Sequence, residues 1–177
     1  MRIVSDLFKN LSNLPGWSTN RRIIVFESDD WGSVRMPSNK VLEALHTKGL
    51  DVSSRFNQFD TLASADDLSF LFEVLQSVKD LNGRNDVFTP LCLVANPDFE
   101  KISSEDYQQY YYEPFTETLK RYQREDVLSL WKQGISERLF VPQFHGREHL
   151  NVQMWMRALR NNHLPTRLAF EHCMWGF

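Results

Sequence analysis

The chain of 177 residues has the length of one ordinary domain, and its 42% hydrophobic and 24% charged residues predict a packed core and exclude a disordered chain. Its net charge of −3, with acidic and basic residues mixed along the chain, argues against a nucleic-acid-binding protein, which would carry a basic excess. No signal peptide is recognisable and no run reaches 18 apolar residues, so we expect a cytoplasmic protein without a membrane span.

The N-terminal part of the chain leads into a predicted buried strand. Residues 1–20 are predicted to form a short amphipathic helix and a loop, ahead of a β/α domain over residues 21–177. The apolar run over residues 22–26 is typical of a strand buried on both faces, as in a parallel sheet. This strand ends at two adjacent carboxylates, Asp29 and Asp30.

The rest of the chain alternates predicted helices and strands. Ser38 or Asn39 is a plausible N-cap for a helix that ends near Gly49. Further helices are predicted over residues 65–81, 118–133 and 152–160, and further strands over residues 87–95, 139–144 and 167–170. Residues 51–64 and 98–117 carry neither pattern and are predicted to be loops.

This alternation predicts an α/β fold with a parallel sheet and helices outside it. In such folds the active site gathers at the carboxyl ends of the strands. Asp29 and Asp30 follow the first predicted strand, and the segment from His145 to His149 follows the third. We therefore expect these two polar clusters to meet, although they lie far apart in the sequence.

The two clusters are suited to a catalytic metal site. Adjacent carboxylates repel each other unless a cation or a proton offsets the repulsion, although a solvated Asp-Asp turn is an equally good interpretation of this pair alone. Two histidines four residues apart lie on one face of a helical turn and can bind one ion; the alternative is a pair of surface histidines. Together, Asp30, His145 and His149 would form an open metal site, with Asp29 beside it as a general base.

The two motifs resemble those of the polysaccharide deacetylase family. Ser-Asp-Asp-Trp-Gly at residues 28–32 is similar to the family's Thr-Phe-Asp-Asp-Gly type motif, with one residue inserted before the glycine. His-Gly-Arg-Glu-His at residues 145–149 is similar to its His-Ser/Thr-x-x-His motif, with Gly146 in place of a hydroxyl residue. The later motifs of the family, which supply an arginine, a groove aromatic and a general-acid histidine, have no counterpart before Phe177.

This resemblance implies a fold, a reaction and a set of residue roles. It implies a metal-dependent hydrolase that removes acetyl groups from an N-acetylated sugar or an acetylated polysaccharide, on a distorted parallel β/α barrel. Asp29 would be the base, and Asp30, His145 and His149 would bind a divalent metal, with zinc preferred over cobalt and nickel. We assign substrate contacts to Trp31 and Asn96.

The predicted barrel is incomplete. Four β/α units are too few to close a barrel, so we expect an open sheet. The apolar residues 173–177 contrast with the polar character of most chain termini, and they favour a chain that is the N-terminal part of a longer barrel.

Two alternatives remain open at the level of the sequence. His145, Glu148 and His149 also fit the inverted zinc-protease pattern His-x-x-Glu-His, with Glu148 as the base, but that pattern leaves Asp29 and Asp30 without a role. A non-catalytic carbohydrate-binding or assembly relative of the deacetylases would account for the missing later motifs.

Overall fold

The computed structural model describes residues 6, 8–9, 11–12 and 16–177. The strands in chain order are β1 (Phe26–Trp31), β2 (Phe88–Leu93), β3 (Ala95–Pro97), β4 (Tyr112–Pro114) and β5 (Gln143–Gly146). Strands β1, β2 and β5 form a parallel sheet with β2 in the middle, and β3 and β4 form a separate antiparallel pair. The predicted α/β class and parallel sheet are confirmed, and the described strands form an open sheet of three rather than a closed barrel.

Helices connect and cover the strands of this sheet. In chain order they are α1 (Asn39–Thr47), α2 (Arg55–Phe59), α3 (Ala65–Ser77), α4 (Phe99–Ser104), α5 (Phe115–Arg121), α6 (Glu125–Ser136), α7 (Val152–Arg160) and α8 (Leu164–Phe170). Ser38 caps α1 as predicted, because its side chain accepts a hydrogen bond from the backbone N–H of Val41. Among the described residues, no helix combines the length and the apolar character needed to cross a bilayer.

The main core lies between the sheet and helices α3 and α6, and aromatic rings dominate it. Trp31 at the end of β1 lies edge-on to Phe88 and Phe140, with ring centroids 5.5 Å and 5.4 Å away. Gly134 of α6 leaves room for Phe72 of α3, since a methyl group at Gly134 would lie 2.4 Å from the Phe72 ring. This packing holds the end of β1 against the helical layer.

The predicted fourth strand is wrong, because residues 167–170 belong to helix α8. Pro165 lies in the first turn of this helix, where its missing N–H and fixed φ are tolerated. The buried residues Thr166, Ala169 and Phe170 have the three- and four-residue spacing of a helix face. The short apolar run therefore covers one side of a helix, and it does not extend the sheet.

Further predicted boundaries differ from the structure, and the third predicted strand, expected over residues 139–144, is β5 at Gln143–Gly146. The predicted helix over 118–133 is two helices, α5 and α6, separated at Gln123, which has a φ of +54°. Helix α3 ends at Ser77 rather than at residue 81. Residues 22–25 lie outside β1 and are exposed, because the register pairs Phe26 with the first residue of β2 and leaves no partner strand before it. The first strand therefore begins later than its apolar run.

Two predicted loops contain regular structure, whereas another predicted helix is confirmed. The predicted loop over 51–64 contains the short helix α2, and the loop over 98–117 contains α4 and β4. The helix predicted over residues 152–160 is confirmed. Most of the helix predicted within residues 1–20 lies outside the described residues; the described residues 6, 8–9 and 11–12 are helical.

Candidate metal centre

The carboxyl ends of β1 and β5 bring the two sequence motifs together at one edge of the sheet. Asp30 is the fifth residue of β1, and His145 is the third residue of β5. His149 lies in a bend three residues after β5 ends. The two strands are separated only by β2, so the predicted meeting of the two clusters is confirmed.

An irregularity in β1 aims Asp30 at this edge. The register between β1 and β2 shifts between Ser28 and Trp31, as in a β-bulge. Asp30 has a φ of +62°, a left-handed conformation that is uncommon for residues other than glycine. Such a bulge re-aims a side chain, and here it leaves Asp29 exposed and Asp30 half-buried. Adjacent carboxylates can therefore take different roles.

The carboxylate of Asp30 lies against the rings of both histidines. Its Oδ1 atom is 2.7 Å from Nδ1 of His149 and 3.8 Å from Nε2 of His145. One ligand atom from each of the three residues lies within 4.8 Å of the other two. The predicted convergence of Asp30, His145 and His149 is thus confirmed.

The three residues fit a divalent metal ion. Oδ1 of Asp30 is buried but has no hydrogen-bond partner of normal geometry, which a cation at this point would supply. In a tetrahedral site with bonds of about 2.1 Å, ligand atoms are about 3.4 Å apart, and the two measured separations bracket this value. Two imidazoles and one carboxylate are ligands that zinc accepts in catalytic sites.

The two histidines do not lie on a helical turn, so that part of the prediction is wrong. His145 belongs to strand β5, and the chain bends between Gly146 and His149. The bend folds the second ring back onto the first, so that the ring centroids are 4.5 Å apart. The two imidazoles therefore come together because the chain bends after a strand, and not because they share one face of a helix.

Asn96 holds the segment that follows β1. The residue is 2% exposed, and its side-chain oxygen accepts a hydrogen bond from the backbone N–H of Val34. Its side-chain amide donates to the carbonyl of Gly32 at 2.9 Å and to the hydroxyl of Thr118 at 3.2 Å. Because these bonds occupy the buried amide, Asn96 serves as a structural anchor, and its contact with substrate stays a prediction.

Arg35 and Asp60 form an ion pair beside the centre that the sequence motifs did not reveal. Nε of Arg35 is 3.2 Å from Oδ2 of Asp60. Burial raises the pKa of Asp60; Arg35 opposes this rise, and the charges of Asp30 and Asp29 add to it. Asp60 lies in the segment predicted as a loop, where no motif marks it, whereas Arg35 had the weak signal of closely following the Asp pair.

Glu148 takes no part in the convergent group. Its side chain is 7% exposed and is bound by the neighbouring guanidinium of Arg147, whose Nη2 lies 2.7 Å from Oε1. Arg147 in turn lies over the ring of Tyr112, at 4.6 Å from its centroid. Glu148 is therefore engaged in an ion pair with Arg147.

Two cavities flank the candidate centre. The larger, of about 670 Å³, is lined by His149 and Arg35, and the smaller, of about 270 Å³, is lined by Asp29, Asp30 and Asp60. Trp31 also lines the smaller cavity while its indole packs in the core. The candidate centre thus borders both cavities.

The described fold and site define an α/β protein with a candidate metal centre of two histidines and one carboxylate at the edge of a parallel sheet. A second carboxylate, Asp29, is adjacent in the chain and exposed. No protein-family model, curated protein or solved structure matches this chain.

Proposed function

We propose that the protein is a metal-dependent hydrolase that removes acetyl groups from an N-acetylated sugar or an acetylated polysaccharide. The observation that carries this proposal is the convergence of Asp30, His145 and His149 at the carboxyl edge of the sheet. The two sequence motifs that supply these residues resemble those of the polysaccharide deacetylases. On this proposal the three-stranded sheet is part of a distorted β/α barrel of the deacetylase type.

The centre would be occupied by a divalent ion, for which zinc is our first choice and cobalt and nickel are alternatives. Asp30, His145 and His149 would hold it, and when bound it would supply a Lewis acid that polarises a water and the acetyl carbonyl. A half-buried carboxylate and two partly exposed imidazoles leave one side of the site open to substrate. Open coordination positions are typical of catalytic rather than structural zinc sites.

Asp29 would act as the general base. Asp29 lines the smaller cavity together with Asp30, and it is exposed. In the proposed reaction Asp29 removes a proton from the attacking water, the water oxygen bonds to the acetyl carbon, and the bond to the sugar nitrogen or oxygen breaks. The leaving amine or alcohol takes up the proton that Asp29 removed, and acetate is released.

The Arg35–Asp60 pair would position this machinery. Backbone N–H groups of Arg35 and Met36 both donate to the carbonyl of Asp60, at 3.2 Å and 2.9 Å, so two loops are joined beside the centre. The guanidinium is further enclosed by the rings of Trp175 and Phe56, at 4.6 Å and 5.5 Å. These contacts fix a positive charge next to a cluster of carboxylates.

The inverted zinc-protease alternative has less support. It requires Glu148 as a base, whereas Glu148 is bound by Arg147 and lies outside the convergent group. It also leaves Asp30 without a role, although the carboxylate of Asp30 lies 2.7 Å from His149.

Acetate release from acetylated substrates tests the proposal directly. The full chain, stripped of metal by a chelator, would be assayed on N-acetylated chito-oligosaccharides and acetylated xylan before and after addition of zinc, cobalt or nickel. We expect metal-dependent acetate release and no cleavage of a casein substrate. Metal-dependent cleavage of casein would favour the protease. Binding of the saccharide without acetate release under any metal would favour the non-catalytic carbohydrate-binding module.

A further inference from the structure

The charged side chains that line the two cavities beside the centre are of opposite sign. The side chains of the smaller cavity include four aspartates, Asp29, Asp30, Asp60 and Asp67. The charged or ionisable side chains of the larger cavity are all basic: Arg35, His149, Arg157 and His163. Among the described residues, no aspartate or glutamate side chain lines the larger cavity, and no lysine or arginine lines the smaller.

The cavities meet at two pairs of side chains, each with one member on either side. His149 lines the larger cavity and Asp30 the smaller, and they are 2.7 Å apart. Arg35 lines the larger cavity and Asp60 the smaller, and they are 3.2 Å apart. A substrate whose acyl carbon lies at the centre can therefore extend one part into each cavity.

Arg157 supplies a guanidinium that is available to a ligand. It lies on α7 and is exposed, and within the described part of the chain no carboxylate lies within 4 Å of it. Arg35, by contrast, is already paired with Asp60. A guanidinium presents its donors in a planar fork that matches the two oxygens of a carboxylate. Arg157 is therefore the principal candidate for binding an anionic group.

The other walls of the larger cavity suit a sugar ring. Trp155, Trp175 and Met154 supply apolar surface, and Asn151 and Asn161 supply amide groups. A volume of about 670 Å³ lies within the usual range of small-molecule sites, which combine such apolar surface with a few polar groups. The four aspartates on the other side would repel the same anion, so the charge contrast also fixes the direction in which the substrate lies.

We infer that the larger cavity binds a carboxylate-bearing sugar residue, with Arg157 as its main partner, and that the substrate is an acylated acidic saccharide. That the bound saccharide is also a substrate rests on the proposed function, but the binding site itself is defined by the cavity. The residue that carries the carboxylate would be the neighbour of the acetylated one, because the cavity lies beside the centre and not around it.

Direct binding to the full chain tests the cavity without reference to catalysis. Glucuronate, glucose 6-phosphate and glucose would be titrated by calorimetry into protein treated with a chelator, so that no metal can bind the anion. We expect glucuronate to bind at least tenfold more tightly than glucose, and Arg157→Ala to remove about this factor. Arg160→Ala is the matched control, because Arg160 is an exposed arginine of the same helix outside the cavity.

Each outcome bears on the inference. Equal affinity for glucuronate and glucose, or an Arg157→Ala variant that binds glucuronate like the parent, would overturn it. Tighter binding of glucose 6-phosphate than of glucuronate would overturn the assignment of a carboxylate.

A rate comparison separates this inference from the proposed function. Acetate release from neutral acetylated saccharides only would overturn the acidic substrate while the deacetylase stands. Arg157-dependent glucuronate binding without acetate release from any saccharide would support the cavity assignment while the proposed reaction fails.

Discussion

The strands β1 and β5 end at the same edge of the sheet, but their ends are held in different ways. The end of β1 is buried in protein: Trp31 packs among aromatic rings, and Asn96 ties the following loop by two hydrogen bonds. The end of β5 is bonded to the backbone of Val94 and Ala95, and the chain then bends into solvent with 42% of the His149 side chain exposed. One side of the centre is therefore fixed by the core, and the other is free to adjust to a ligand.

The difference assigns separate tasks to the two motifs. The left-handed conformation of Asp30 is strained for a non-glycine residue, and the hydrogen bonds around β1 hold it. His149 can move by the fraction of an ångström that a metal requires, because 42% of its side chain is exposed to solvent. We expect substitutions that break the packing or the hydrogen bonds around the end of β1 to affect folding, and substitutions of His145 and His149 to affect metal binding.

The largest effect is expected at Asp29, on the fixed side. Asp29→Asn should lower the rate of metal-dependent acetate release by about 10²–10⁴-fold, the usual contribution of a general base. It should retain metal, because Asp30, His145 and His149 are unchanged. Asp106→Asn is the control, since Asp106 is exposed and lies outside both cavities. An Asp29→Asn variant that retains the parent rate would assign the base elsewhere.

Substitution of Gly32, just after β1, and of Gly146, at the end of β5, tests whether the two strand ends contribute differently to the free energy of unfolding. Gly32 has a φ of +91°, and a methyl group there would lie 2.5 Å from the backbone oxygen of Leu93. We expect Gly32→Ala to lower the free energy of unfolding by about 2–4 kcal/mol, from backbone strain and the clash together. At Gly146 the nearest atom is Cδ2 of the Leu93 side chain, at 3.3 Å, and φ is not positive, so Gly146→Ala should cost less, about 1 kcal/mol. Urea unfolding of both variants measures the difference, and equal costs would show that the two ends are held alike.

Asn96 gives a smaller effect on the same fixed side. Asn96→Ala leaves the N–H of Val34 and the carbonyl of Gly32 without their partner, and it should cost about 1–3 kcal/mol. The exposed Asn20 makes a suitable control, and Asn20→Ala should change the free energy of unfolding by less than about 0.5 kcal/mol. If Asn96→Ala unfolds at the parent's urea concentration and weakens saccharide binding instead, then the residue contacts substrate as the sequence predicted.

The smallest expected effect is a pH dependence of the free energy of unfolding, which arises from Cys92 in the central strand β2. Burial raises the pKa of the Cys92 thiol to about 11. Because the folded state favours the protonated thiol, its contribution to stability is complete below the unfolded pKa and is lost as the pH rises toward 11. Between pH 8 and 10 the parent should lose about 1 kcal/mol more than Cys92→Ala in urea unfolding. An equal loss in both proteins would assign the alkaline instability to other groups.

The sequence predicted the site better than it predicted the elements around it. Apolar runs followed by polar motifs marked the ends of β1 and β5, and in a parallel sheet these ends must share an edge. The conformation of Asp30 and the bend before His149 were not predictable, because both arise from tertiary contacts rather than local preference.

The errors in the fold have the same origin. Residues 167–170 are apolar enough for a strand, but only the longer window that includes Thr166 shows the helical spacing. The Arg35–Asp60 pair joins two loops that carry no periodic pattern, so only the folded structure brings the two residues together. Short-range sequence patterns thus identified the residues of the candidate site, whereas long-range contacts determined the structure that holds these residues in place.

The central claim is that Asp30, His145 and His149 form one metal site, and metal content tests it most directly. The parent chain and its variants would be equilibrated with zinc, freed of unbound metal and measured by mass spectrometry of the element. We expect a single zinc ion per parent chain and its loss in Asp30→Asn, His145→Ala and His149→Ala. The matched controls are Asp106→Asn, which also replaces an aspartate with positive φ, and His46→Ala, which removes an exposed histidine; both should keep the ion. A parent chain that binds no metal, or a full zinc content in the three site variants, would contradict the claim.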